Sequence, residues 1–184
     1  IFWWSIKVGR NHSMYSINGE TIPFMLGVKH KIADKLVYSK VRQRMGGRLK
    51  FFVSGGAPLS QEIGEFFAAA GITILEGYGL TETSPVLSSN SPHALRYGSV
   101  GKPLFNVEIK IADDGEIIAK GPSIMKGYYN NEEATNEAID SNGWFHTGDI
   151  GEFDGDGYLK ITDRKKNILV TSGGKNIAPA PMEN

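Results

Sequence analysis

From Gly27 to Met45 the apolar residues Val28, Ile32, Leu36, Val41 and Met45 recur at helical spacing, with lysines and arginines between them. That spacing predicts an amphipathic helix, which Gly46 and Gly47 stop. Its basic residues read first as a solvated face, and second as a patch resting near a membrane or a polyanionic cofactor. Next come a short apolar run, Leu49–Val53, and the turn SGGAP, Ser54–Pro58. Ser60 is placed to cap a helix through Ile63, Phe66, Phe67 and Ala70, with Glu62 near its positive end. Gly71 closes that helix, and Ile72–Leu75 reads as a second strand. Strand, helix and strand at this spacing predict a right-handed crossover between parallel strands. Ligands in such sheets bind outside the carboxyl ends of the strands. Both ends here run into glycine-rich loops, SGGAP after the first strand and EGYGLTE after the second, and two such loops side by side outline a pocket.

After about residue 96 the grammar changes. Val107–Ile111 and Glu116–Lys120 flank ADDG, and Glu152–Phe153 and Tyr158–Ile161 flank DGDG. Both read as antiparallel hairpins. Asp154 and Asp156 lack the ligand ladder and closing glutamate of a calcium loop, so they read as turn residues. The expected organisation is an α/β portion over residues 1–95, an antiparallel β subdomain over 96–163, and a further segment over 164–184.

Charge and composition narrow the function classes. Lys plus Arg and Asp plus Glu both number 20, so the net charge is zero. No electrostatic reason for a nucleic-acid partner exists. There is no cysteine, hence no disulfide and no thiolate metal site. The apolar stretch Ile1–Val8 is far too short to span a bilayer and lacks the basic lead-in of a signal peptide. A chain opening IFWWSIKVG and ending PAPMEN reads as an internal piece of a longer protein.

The candidate chemistry begins at Gly77-Tyr78-Gly79, where glycines allow tight turns and close approach of a flat ligand. Tyr78 offers a ring for stacking on a base, worth roughly 0.5–1.5 kcal/mol beyond its area burial. Thr81, Glu82 and Thr83 follow, and a hydroxyl beside a carboxylate suits a phosphate with its Mg²⁺. Alone, each of these segments also reads as an ordinary turn.

SGGAPLS, EGYGLTETSP and Thr147–Pro179 (TGDIGEFDGDGYLKITDRKKNILVTSGGKNIAP) together resemble the signature segments of adenylate-forming enzymes: acyl- and aryl-CoA ligases, luciferases and peptide-synthetase adenylation domains. The match covers nearly the whole chain, in family order. It implies the large N-terminal domain of that α/β fold: a parallel βαβ portion, a mostly antiparallel, barrel-like β subdomain, and the hinge to the C-terminal domain from residue 164. Gly55, Gly56, Ala57 and Pro58 would wall the adenine pocket, with Glu76, Gly77, Tyr78 and Gly79 as its floor. Thr81 would bind the α-phosphate and Glu82 the Mg²⁺. Asp149 would accept hydrogen bonds from both ribose hydroxyls, Ile161 would pack on adenine, and Arg164 would contact ribose or phosphate. Lys166 would be the hinge residue, and Gly173 and Gly174 would meet CoA. For three of these residues a plainer reading stands beside the functional one. Asp149 would cap a turn after Gly148, Arg164 would pair with Asp163, and Glu82 would cap its own loop.

The implied reaction is activation of a carboxylic acid by ATP to acyl-AMP, then thioester formation with CoA. GGRLKFFVSGGAPLS, the segment around ITILEGYGLTETSPVLSSN and DRKKNILVTSGGKNIAP resemble the long-chain fatty-acid ligases most. Other acid–CoA ligases, a peptide-synthetase adenylation domain and a non-catalytic nucleotide-binding remnant are the alternatives. The implied partners are fatty acid, ATP and CoA, in the cytoplasm, with peripheral contact to the inner membrane face left open. The family's phosphate loop and catalytic lysine are expected outside these residues, and the isolated piece is therefore expected to be inactive.

Overall fold

A computed structural model describes residues 1–17, 19–167, 169–170 and 176–177. The chain divides into two compact units, Ile1–Glu76 with Asn90–Gly98, and Gly77–Ser89 with Ser99–Asn184.

In the first unit α1 (Phe2–Ile17), α2 (Phe24–Ala33), α3 (Ser39–Arg44), β1 (Phe51–Ser54) and α4 (Gln61–Ala69) lead to β2 (Thr73–Tyr78), which ends in the second unit. Nothing in the periodicity of residues 2–17 announced α1. The amphipathic helix expected over 27–45 forms as α2 and α3, joined through a π-helical turn at Asp34–Tyr38. Single π turns accommodate an extra residue inside a helix, and Tyr38, fully buried, sits at the end of this one. The basic face is not uniformly solvated. Arg42 reaches back across the turn to Asp34, with Nη2 and Oδ1 2.6 Å apart, and its Nη1 donates to the carbonyl of Ala70.

β1 and β2 pair in parallel, Phe51 opposite Thr73 through Ser54 opposite Glu76, as the strand–helix–strand spacing requires. Ser60 occupies the N-cap of α4, but its side chain makes no capping hydrogen bond. The face carrying Phe66, Phe67 and Ala70 packs against Ile6, Val8, Ala33, Tyr38 and Ile72 to form this unit's core.

In the second unit the antiparallel pairing begins at Gly77 and Tyr78, opposite Ser89 and Ser88 of β3 (Ser88–Ser89). β4 (Lys102–Pro103), β5 (Glu108–Ile111), β6 (Glu116–Lys120), α5 (Glu132–Ala138), β7 (Phe145–Phe153), β8 (Leu159–Arg164), β9 (Leu169–Val170) and β10 (Asn176–Ile177) follow. Both expected hairpins are present, and β5 to β8 make a four-stranded antiparallel sheet in chain order. Asp154 accepts the backbone N–H groups of Asp156 and Tyr158, so it organises the second hairpin turn. Tyr78, Leu87, Ile117, Ala119 and Leu159 form the core. One expectation needs correcting: Glu76, Gly77 and Tyr78 were read as a loop, yet they are the last three residues of β2. No helix among the described residues is long and apolar enough to cross a membrane.

Candidate nucleotide site

Within the first unit, the parallel pairing brings Ser54 beside Glu76, so Gly55–Pro58 leave β1 at the end where Glu76 lies. Gly55, Gly56, Ala57 and Pro58 are exposed. Glu76 is only 7% exposed. Burial pushes its carboxyl up to about 7, against backbone hydrogen bonds from Leu59 and Gly98 that pull it down. A carboxyl with a raised folded-state pKa binds its proton more tightly in the folded chain, so its contribution to stability is complete below the ordinary value of 4.5 and is lost as pH rises through about 7. A shift of that size corresponds to about 3 kcal/mol. Glu76→Gln is therefore expected to flatten the fall in stability between about pH 5 and about pH 8, read as urea midpoints. An unchanged slope would reject the assignment.

Within the second unit, β2 ends at Tyr78, whose ring is buried in the core and only 7% exposed. Burial raises its phenol pKa, with Asp149 and Glu116 adding to the rise and a Thr147 hydrogen bond opposing it. Little ring remains free for the base stacking expected of it. Its hydroxyl instead donates to Oδ2 of Asp149 at 2.8 Å. Gly79 is required by the chain itself: a Cβ there would meet Pro85 and Val86, with Val86 Cα at 2.9 Å. The next residues form one 3₁₀ turn, Thr81–Thr83. Thr83, fully buried, accepts the N–H of Leu80 and donates to the carbonyl of Pro85, which closes the turn and leaves Thr81 exposed. Glu82 does not cap its own loop by any of these bonds. Its Oε1 accepts the hydroxyl of Tyr128 at 3.0 Å. The sequence marked Thr83 only as a hydroxyl beside Glu82 and not as the residue that closes the turn. Tyr128 was missed, and GYYNN carries no signal that would have found it.

Asp149 lies in β7, so it does not cap a turn. Thr147 takes the local bond, its hydroxyl accepting the N–H of Asp149 and donating to the carbonyl of Ile117. The Asp149 side chain is 13% exposed, with Arg164 Nε 3.7 Å from Oδ1. Arg164 sits directly opposite on β8, and at 76% exposure its ion pair is worth little in water. The anticipated Arg164–Asp163 ion pair is not what forms. The Asp163 carboxylate accepts Arg164's own backbone N–H and the side-chain amide of Asn167. Ile161 packs, partly buried, on the core of this unit. Lys166 is exposed in a 3₁₀ turn after β8. Gly173 and Gly174 lie outside the described residues.

Among the described residues no group of three His, Cys, Asp or Glu could hold a metal. A cation at Glu82 would therefore rest on one carboxylate plus substrate oxygens, an arrangement that Mg²⁺ uses with phosphates.

A parallel βαβ unit, an antiparallel sheet and these segments in this order define the N-terminal domain of an adenylate-forming enzyme. Residues 18–129 match the family model for AMP-binding enzyme, and the chain belongs to that family. It is 50% identical over 160 residues to the long-chain-fatty-acid–CoA ligase FadD15 of Mycobacterium bovis, covering 87% of this chain and 26% of the relative. It thus spans about a quarter of that relative's length. Among solved structures it is similar to Bacillus subtilis O-succinylbenzoate coenzyme A synthetase in complex with ATP and magnesium, with a TM-score of 0.64 and 39% identity over 71% of this chain and 30% of that one. ATP-bound MatB from Rhodopseudomonas palustris gives a TM-score of 0.69 at 34% identity over 79% of this chain and 32% of that one.

Proposed function

We propose that this chain supplies nucleotide-binding and adenylating groups to an AMP-forming long-chain fatty-acid–CoA ligase. The observation that carries the reading is Asp149. It is a nearly buried, acceptor-only carboxylate held by Tyr78 at one oxygen, and it suits a diol offering two donors. Likeness to a long-chain ligase at 50% identity supports the acid class.

In the proposed reaction a carboxylate oxygen of the fatty acid attacks the α-phosphorus of ATP and pyrophosphate leaves. The sulfur of CoA, giving up its proton, then attacks the acyl carbon, and AMP leaves with the oxygen that attacked. Asp149 binds the ribose hydroxyls, and Arg164 contacts ribose or phosphate. Gly55–Pro58, Glu76–Gly79 and Ile161 border the adenine, with Tyr78 acting chiefly by holding Asp149. Thr81, exposed on its turn, donates to the α-phosphate. Glu82, steadied by Tyr128, would hold Mg²⁺, which when bound would offset the charge of two anionic reactants. Lys166 is the proposed hinge, and Gly173 and Gly174 the proposed contact to CoA.

A second reading, an acid–CoA ligase for an aryl or other short acid, draws on the likeness to O-succinylbenzoate coenzyme A synthetase. The two separate in one assay of the full-length protein: AMP release dependent on both ATP and CoA, across short, medium and long fatty acids, benzoate and amino acids. Long chains are expected to lead by about tenfold or more in kcat/KM, the discrimination that several methylene contacts supply. A clear preference for benzoate or an amino acid would discard the fatty-acid reading.

A further inference from the structure

The pairing of β6 with β7 is interrupted where Asp149 sits. Glu116 is opposite Ile150 and Ile118 is opposite His146, so Thr147, Gly148 and Asp149 together face only Ile117. Such a bulge re-aims side chains and leaves backbone groups without ladder partners. Here the orphaned N–H of Gly148 is taken by Oε1 of Glu116 at 2.9 Å, and Gly148 has a φ of +73° at the bulge apex. The Glu116 side chain is 4% exposed. Its other oxygen lies 2.9 Å from Nδ1 of His146 and 2.8 Å from Nζ of Lys165, which also reaches Asp114 at 2.7 Å. Burial raises the Glu116 carboxyl, but the bonds to His146, Lys165 and Gly148 outweigh it and leave the group below its ordinary range. His146 of β7, the bulge at Gly148 and Lys165 in the turn after β8 therefore converge on one buried carboxylate of β6, and Asp114 of the β5–β6 turn joins them through Lys165.

We propose that Glu116 is a positioning residue for nucleotide recognition, its carboxylate bracing the Thr147–Asp149 bulge so that Asp149 presents both oxygens to the ribose. The proposal rests on the ribose reading of Asp149. Glu116 touches no substrate. It acts by fixing the backbone from which Asp149 projects, and a misplacement of about 1 Å at such a group costs up to about a hundredfold.

The test uses the full-length protein and two ligands, AMP and its analogue lacking both ribose hydroxyls, with dissociation constants from calorimetry. Glu116→Gln keeps an oxygen within reach of Gly148 and should hold the wild-type preference for AMP to within about threefold. Glu116→Asp keeps the charge but withdraws it by one methylene, and should lose about tenfold of that preference while binding the analogue normally. A purely structural role predicts equal weakening toward both ligands in Glu116→Asp, and that result would overturn the proposal, as would full preference in Glu116→Asp or its loss in Glu116→Gln. Asp149→Ala separates the layers. If it abolishes the preference while Glu116→Asp does not, only the positioning role fails. If it leaves the preference intact, the ribose reading itself fails.

Discussion

Asp149→Ala is expected to weaken ATP and AMP binding by about a hundredfold in the full-length protein. The two ribose hydroxyls would lose hydrogen bonds to a charged acceptor, each worth roughly 1.5–3 kcal/mol. Water replaces part of that loss, and about 2.7 kcal/mol, two factors of ten, is a conservative net. The substitution also strips the buried Tyr78 hydroxyl of its acceptor, at 2.8 Å in the structure, which costs stability of about 1–3 kcal/mol. Asp149→Asn controls for that second effect, because the amide oxygen still accepts from Tyr78. It should fold as well as wild type and bind nucleotide about tenfold more weakly. Fluorescence titration with a labelled AMP measures both. An unchanged affinity in Asp149→Ala would remove Asp149 from the site.

The second large effect is expected at Glu82. Glu82→Gln should lower the rate of acyl-adenylate formation by about a hundredfold to a thousandfold, the usual loss when one charge-stabilising group is removed. ATP affinity should change far less, because the carboxylate acts where charge develops on the phosphates and not where the base and sugar are held. The variant should remain folded, since a glutamine oxygen can still accept from Tyr128. Single-turnover pyrophosphate release separates the two quantities. A raised KM with an unchanged rate would mean that Glu82 contributes only uniform binding.

Much of the scaffold was legible because it rests on local chemistry. The βαβ unit follows from two short apolar runs around a helix bounded by Ser60 and Gly71, and both hairpins follow from Asp-Gly turns. The helix α1 was not legible, because Ile6 and Val8 become buried only through tertiary contact with Tyr38 and Ile72. At the candidate site the sequence marked Tyr78, Glu82, Asp149 and Arg164 but misread how some of them are held. Tyr78 is a core residue whose hydroxyl anchors Asp149, and EGY is strand and not loop. Glu116, Tyr128 and Lys165 were invisible for a common reason. They act across 30 or more residues of chain, Glu116 on His146 and Lys165, and Tyr128 on Glu82. No local pattern encodes such pairings. The bulge at Thr147–Asp149 likewise depends on where β6 pairs, although Gly148 in the middle of a strand was a hint.

The central claim is that a carboxylate is activated by direct attack on the α-phosphate of ATP, and oxygen tracing tests it. The full-length protein would be given ATP, CoA and a long-chain fatty acid carrying heavy oxygen in its carboxylate, and the products read by mass spectrometry. Attack on the α-phosphorus, followed by departure of AMP from the acyl carbon, transfers one heavy oxygen to each AMP and none to pyrophosphate. AMP without the label, or label appearing in inorganic phosphate alongside ADP, would contradict the account.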